Sequence, residues 1–316
     1  MQRWGTSAAG TPRWRCSKCL QTGVRERKDN QERSWLSLRS AWLLNKDSLT
    51  RLARRHRIST RTLVRYVAAV TCATSQQQPI PVATRILVLD GTSVVKHQEI
   101  VLISSAPEAG VPVSWHFVPR ETTATWSAFL QSHKTAGIEP QYIICDGQKG
   151  LLTAISLVWP NAQVQRCLIH VTRQAKNWLT QHPKTRAGKT LLVLVRALSS
   201  IRTKRQKRRW IRAFHAWCKK HSAFLNERTT TTENRWWYTH RKVRAVRSLL
   251  QNALPNLFRF VTDASLPRTS NHVEGGVNSR LQELLRCHRG IPAASRRVLV
   301  GLYLSARQKK PTRNVY

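Results

Sequence analysis

Residues 85–179 alternate between short apolar runs and amphipathic stretches, and no other feature of this chain limits its fold so tightly. "RILVLD", from Arg85, is a continuous apolar run and reads as a central strand. "EIVLISS" and "VPVSWHFV" follow after short turns, which predicts an antiparallel meander of three strands. "TTATWSAFLQSHKTAG" then carries Trp126, Phe129 and Leu130 on one helical face. Strand "YIIC", helix "KGLLTAISLVW", strand "AQVQRC" and helix "IHVTRQAKNWL" complete the series. The predicted order is β-β-β-α-β-α-β-α.

That order predicts an α/β fold class with a ribonuclease-H-like core, in which the first strand lies beside the fourth, in parallel. The ends of "RILVLD" and "YIICD" then become neighbours at the edge where parallel sheets place their sites. Asp90 and Asp146 stand at those ends. Each has an ordinary explanation. "DG" at Asp90–Gly91 is a hairpin signal, and Asp146 precedes a helix that it could cap. Neither explains why two carboxylates close adjacent central strands. Like charges so placed need a counter-charge, and divalent cations are the usual answer. A third ligand is expected from "TSNHVEGGVNSRLQELL", residues 269–285, which holds Glu274 with Asn278 one helical turn on. The alternative there is a capping box of Asn271 with Glu274. Gly275 and Gly276 speak instead for close approach of another backbone.

Charge narrows the class of partner. The 316 residues include 54 Lys and Arg against 15 Asp and Glu, a formal net charge of +39 spread along the whole length. A nucleic-acid backbone is the commonest partner for such a chain, with a ribosomal or membrane-surface protein as the alternative. No apolar run approaches the roughly 18 residues needed to span a bilayer. The best, "LLVLVRALSSI" from Leu191, is broken by Arg196. The first 30 residues lack an apolar signal core, and the seven cysteines fall at irregular spacing. A cytoplasmic, nucleic-acid-facing protein without a membrane partner is the expectation.

Two signals precede the core. "RWRCSKC" supplies Cys16 and Cys19, half of a four-ligand zinc site. Ribbons often separate their pairs by about 15–20 residues, which puts the missing pair at or just before Met1. Two unremarkable thiols are the alternative. "LTRLARRHRISTRTLVRYV", residues 49–67, reads as a helix-turn-helix. Leu49, Leu52 and Ala53 face inward, Ile58 plugs the turn, and Ser59 or Thr60 caps the second helix. That helix buries Leu63 and Val67 and exposes Thr60, Arg61 and Arg65, a set suited to a major groove. Arg57 occupies a turn position where Gly is comfortable. An ordinary helical hairpin is the alternative. "SWLSLRSAWLL" predicts a preceding helix, and "ATSQQQPIPVAT" a linker.

"VLDGT", "ICDG", "QRCLIHV" and "SNHVEGGVNSRL" together resemble the motifs of bacterial Mutator-type insertion-sequence transposases, DDE enzymes with a C-x-x-H signature after the second Asp. The resemblance covers about residues 85–305. It implies a catalytic, metal-binding triad of Asp90, Asp146 and Glu274, and places the C-x-x-H on Cys167 and His170. Spacings are 146 − 90 = 56 and 274 − 146 = 128 residues. The domain layout it implies is a partial zinc ribbon (1–30), helix-turn-helix domain (31–72), linker (73–84), core (85–177), helical insertion (178–265), core continued (266–309) and tail (310–316). In the insertion, "RTKRQKRRWIR" is too basic for a core and could grip phosphates. Trp236, Trp237 and Tyr238 read as core packing, with stacking on unpaired bases as the alternative.

The implied function is DNA transposition with Mg²⁺ or Mn²⁺, and with Zn²⁺ where the ribbon is completed upstream. Its partners would be double-stranded DNA, both terminal inverted repeats and target, and further copies of the chain in a homodimer or higher oligomer. Its place would be the bacterial cytoplasm, at the nucleoid. A DNA-binding regulator without catalysis, and a structure-specific nuclease of the same fold, are the rival functions.

Overall fold

The computed structural model describes residues 1–8, 10–24, 38, 42, 47–69, 79–80, 83–96, 98–268, 277, 279–288 and 290–308. The chain divides into two units, residues 1–72 and 73–316.

In the first unit, β1 (Gln2–Thr6), β2 (Pro12–Arg15) and β3 (Thr22–Val24) form an antiparallel meander. Helix α1 (Leu49–Arg55) begins at Ser48, whose Oγ accepts from the Arg51 amide at 3.2 Å. Helix α2 (Thr60–Ala69) is capped by Ser59, the first of the two expected candidates, whose Oγ accepts from the Thr62 amide at 3.0 Å. Leu52, Ala53 and Leu63 are buried where the helices meet. Arg57 takes φ +52°, so the turn is left-handed even without the glycine that such geometry favours. Ile58 is half-buried, and its amide donates to the Ala53 carbonyl at 3.0 Å. Val67 has a described backbone only, and its expected burial lies outside the described side chains.

The second unit opens with β4 (Ile86–Val95), β5 (Glu99–Ala106), β6 (Val111–Val118) and α3 (Thr123–Thr135). It continues through β7 (Tyr142–Cys145), α4 (Lys149–Val158), β8 (Gln163–Arg166) and α5 (Leu168–Leu179). The five strands form one mixed sheet in the order β6-β5-β4-β7-β8. β4 is antiparallel to β5 and parallel to β7, which is in turn parallel to β8. Leu87, Leu89 and Ile143 from the sheet meet Trp126, Leu130, Leu151 and Ile155 from α3 and α4 in a single buried cluster.

One local expectation is overturned. Asp90–Gly91 is no hairpin turn: β4 runs through it to Val95, with Asp90 paired to Ile103 and Gly91 to Leu102. Turning at Gly91 would have left the outer half of β5 unpaired on the side away from β6; the strand instead runs on to Val95, whose carbonyl accepts from the Gln98 amide at 3.0 Å.

Beyond α5 lie α6 (Arg186–Ala197), α7 (Lys204–Lys220), α8 (Ser222–Asn226), the hairpin of β9 (Arg228–Thr230) and β10 (Trp236–Tyr238), and α9 (Arg241–Ala253). α7 is basic outside, yet Trp210, Phe214 and Trp217 recur at helical spacing and are buried. Fully buried Gln165 on β8 ties this region back to the sheet. Its Nε2 donates to the Leu257 carbonyl at 2.9 Å, and its Oε1 accepts from the Arg259 amide at 2.8 Å. α10 (Ser279–Cys287) and α11 (Ala293–Gln308) follow, and α11 packs on β4 and β6. Among the described residues no helix is long and apolar enough to cross a membrane.

Candidate active site

Strand register brings the two aspartates together. β4 and β7 pair as Ile86↔Tyr142, Leu87↔Ile143 and Val88↔Ile144, an offset of 142 − 86 = 56 residues. The aspartates differ by the same 146 − 90 = 56, so each stands two residues beyond the last pair, at equal height on neighbouring parallel strands. Both are half-buried.

The backbone after Asp146 is held in an unusual shape. Gly147 takes φ +82°, and a side chain there would run into the guanidinium of Arg166. Arg166 lies mostly buried at the end of β8 and donates from Nε and an Nη to the Asp146 carbonyl, at 3.3 and 3.1 Å. Asp146 Oδ1 accepts from the Gln148 amide at 2.9 Å, a turn that leaves Gln148 as the N-cap of α4. The helix-cap explanation for Asp146 therefore fails. The carboxylate lies before the helix and keeps its second oxygen for another partner.

A further carboxylate, which sequence reasoning did not single out, lies close enough to Asp146 to feel its charge. Glu121 directly precedes Thr122, the N-cap of α3. Its carboxylate rests on Gly91, where any Cβ would collide with it. Burial first, and then the negative charge of Asp146, hold its carboxyl above the ordinary Glu value. One signal for it did exist: a scarce acidic residue beside a strand end, just ahead of a helix. Gln148 lies between the two acids. Its Nε2 approaches the Glu121 carbonyl at 3.5 Å, while its Oε1 is buried with no hydrogen-bond partner in the described structure.

Glu274, with Asn271, Gly275, Gly276 and Asn278, lies outside the described residues. Its described flanks reach the core at two points. The Arg268 carbonyl accepts from the Leu168 amide at 3.2 Å, at the start of α5, and the Val277 carbonyl accepts from Tyr303 Oη at 3.2 Å. Cys167 and His170 sit on this edge too. The Cys167 amide donates to the Cys145 carbonyl at 2.8 Å, which places the thiol, fully buried, next to the end of β7. His170 is half-buried in the first turn of α5. Burial pushes the neighbouring Cys145 thiol up to about 12, so it is inert at neutral pH. Among the described residues no three His, Cys, Asp or Glu side chains are grouped to hold a metal ion.

In the first unit, Cys16 and Cys19 bracket the bend between β2 and β3. The Cys16 amide donates to the Gln21 carbonyl and the Leu20 amide donates to the Cys16 carbonyl. Amides of Cys19 and Lys18 directed at the Cys16 sulfur bring its thiol down to about 7. Thr60, Arg61 and Arg65 are exposed along α2.

Comparison with known proteins bears on what this edge is for. Residues 95–260 match the family described as "Transposase, Mutator family". That span includes Asp146, Cys167 and His170 and leaves Asp90 and Glu274 outside. The chain is 33 % identical over 110 residues to the transposase for insertion sequence element IS905 of Lactococcus lactis subsp. lactis, covering 32 % of this chain and 28 % of that protein. A probable insertion-sequence transposase of Corynebacterium diphtheriae is 34 % identical over 61 residues, 19 % of this chain and 18 % of the relative. The transposase for element IS1201 of Lactobacillus helveticus is 37 % identical over 62 residues, 19 % of this chain and 17 % of the relative. The matches thus span 28 % or less of the length of these curated relatives.

Proposed function

This chain belongs to the Mutator family of transposases, and from that membership we propose that it binds the terminal inverted repeats of an insertion sequence and catalyses metal-dependent strand cleavage and strand transfer. The observation that carries the proposal is the shared offset of 56, which aligns Asp90 and Asp146 on adjacent parallel strands. The strand order β6-β5-β4-β7-β8 supports a ribonuclease-H-like core. Residues 178–265 would be its helical insertion, α1 and α2 a helix-turn-helix, and the Cys16–Cys19 bend part of a zinc ribbon.

Mg²⁺ or Mn²⁺ fits the residues present. The donors are carboxylate oxygens, the ligand type that hard cations prefer. Glu121, whose carboxyl is crowded by Asp146, gains from a nearby positive charge. Asp90, Asp146 and Glu274 would hold the ions, which when bound activate water or a 3′-hydroxyl and offset charge on the phosphate. Arg166 and Gly147 fix the loop that presents Asp146. Thr60, Arg61 and Arg65 would read the element's ends while other Lys and Arg residues hold phosphates. Cys167 and His170 would position the start of α5 beside the site. A dimer or larger assembly would bring two ends together in the bacterial cytoplasm.

The test is Mg²⁺-dependent nicking and joining of DNA that carries the element's ends. Asp90→Asn, Asp146→Asn and Glu274→Gln should each lower cleavage at least about a hundredfold, within the range that loss of one electrostatic group costs, with end binding intact. Cleavage by all three at the parent rate contradicts the proposal. Cutting without joining points to a nuclease, and binding without cutting to a regulator.

A further inference from the structure

The β9–β10 hairpin is built in a way that core packing does not explain. The sequence places Trp236, Trp237 and Tyr238 together, and an aromatic run usually belongs inside. Instead Trp236 exposes 50 % of its surface, whereas Trp115, Trp126, Trp210 and Trp217 are buried. The strand alternates, so Trp236 and Tyr238 share one face of the hairpin and Trp237 takes the other.

Guanidinium groups interleave with those rings. Arg228 faces Tyr238 across the ladder, and its guanidinium carbon lies 4.1 Å from the Trp236 centroid and 5.8 Å from that of Tyr238. Arg244, from α9, sits 3.5 Å from the Tyr238 centroid. Trp236 and Tyr238 meet edge to face at 5.4 Å. The result is a ladder of alternating rings and positive charges, open to solvent along Trp236.

So short a hairpin is marginal by itself, yet this one is braced at its base. The Thr239 amide donates to the Glu227 carbonyl at 3.0 Å, and the Thr229 and Thr239 hydroxyls bond at 2.8 Å. The His240 ring lies 3.6 Å from Phe224, nearly parallel at 14°, and its Nε2 bonds Glu227 at 2.7 Å. The hairpin is thus fixed to α8 and α9 while it holds a large apolar ring in water.

We propose that this hairpin is a stacking platform for an unpaired base of a DNA strand, with Trp236 taking the base and exposed Arg228 a flanking phosphate. Arg244, whose Nη1 donates to the Leu225 carbonyl at 3.0 Å and to Asn226 Oδ1 at 3.1 Å, braces Tyr238. A ring half open to solvent offers a π-face to any base, and a guanidinium beside it suits the backbone. Charge decides the kind of occupant: at +39 the chain favours a polyanion over a protein surface of mixed charge. An unpaired base is required because the faces of paired bases are stacked within the duplex. The inference rests on the chain handling DNA. Its test omits divalent cations, so that failure here is distinct from failure of strand cleavage.

The probe is a single strand of about 20 nucleotides, longer than the usual single-strand footprint, with one central 2-aminopurine. The same strand annealed to its complement is the control. Binding of the full chain in EDTA should quench the single-strand fluorescence. Trp236→Ala should abolish the quenching and weaken single-strand binding about 5- to 150-fold, the range for loss of one stacking ring, with duplex affinity unchanged. Trp236→Phe, which keeps a ring, should restore part of both signals. The proposal is overturned if Trp236→Ala binds and quenches the single strand like the parent, or if duplex binding falls as far as single-strand binding.

Discussion

Glu121 shows how one residue reports on the whole site. Its carboxyl sits above the ordinary value of 4.5 because burial and Asp146 both oppose its charge. The folded protein therefore holds this proton more tightly than the unfolded chain does. Stability from that difference is present below pH 4.5 and is lost as pH rises through the elevated folded value. Glu121→Gln removes the cost of ionisation, so in chelator at pH 7 the variant should melt higher than the parent, with the gap closing below pH 4.5. Added Mg²⁺ should narrow the difference, since the parent alone gains a carboxylate near the ion. A variant that melts lower than the parent at pH 7 without metal contradicts this account. Glu121 carried only a weak mark in the sequence, a scarce acid just ahead of a helix, and nothing local points to its place beside Asp146. Its role comes from the bare Cα of Gly91, thirty residues earlier, on which its carboxylate rests.

At the scale of elements, the central strands β4 and β7 were legible because each opens on an apolar run, and the run itself encodes burial on both faces. "YIIC" and "VPVSWHFV" fall on β7 and β6 without adjustment. Asp90–Gly91 misled because turn chemistry is local, whereas the length of β4 is set by its partner β5. Trp236 misled for a related reason: hydrophobicity predicts burial only where the fold supplies a core. Helix α3 carries a further device. His133 is fully buried; its Nδ1–H donates to the Phe129 carbonyl at 2.7 Å, so Nε2 of the neutral ring accepts from the Ser104 hydroxyl of β5, also at 2.7 Å. Burial lowers its folded value from 6.5 to about 4. Stability is then whole above pH 6.5 and falls as the pH drops toward 4, by about 3 kcal/mol for this group. Urea unfolding at pH 7 and pH 4 should show that His133→Gln loses less stability on acidification than the parent; an equal loss in both refutes it. On α2, Arg61→Ala with Arg65→Ala should lower affinity for the element's ends at least about tenfold. The melting temperature should hold, because both side chains are exposed. Unchanged specific binding in a gel-shift titration would exclude α2 as the reading helix.

For the whole molecule, only 15 of 316 residues are acidic against 54 basic ones, so two aspartates that stand at equal height on adjacent parallel strands call for a cause. The aspartate pair was legible in the sequence, because each closes an apolar run and the strand order makes those two runs neighbours. Glu274, proposed as the third ligand, was legible only through a motif, and the segment that carries it lies outside the described residues. A divalent cation proposed at the Asp90–Asp146 edge is read most directly by Mn²⁺ titration followed by electron paramagnetic resonance, without DNA or turnover. The parent should bind Mn²⁺, and Asp146→Asn should bind at least about tenfold more weakly, since even residues that only support metal ligands cost that much when lost. Asp263→Asn, which removes a carboxylate paired with Arg85 away from the site, should match the parent. Equal Mn²⁺ affinity in the parent and Asp146→Asn would contradict the account.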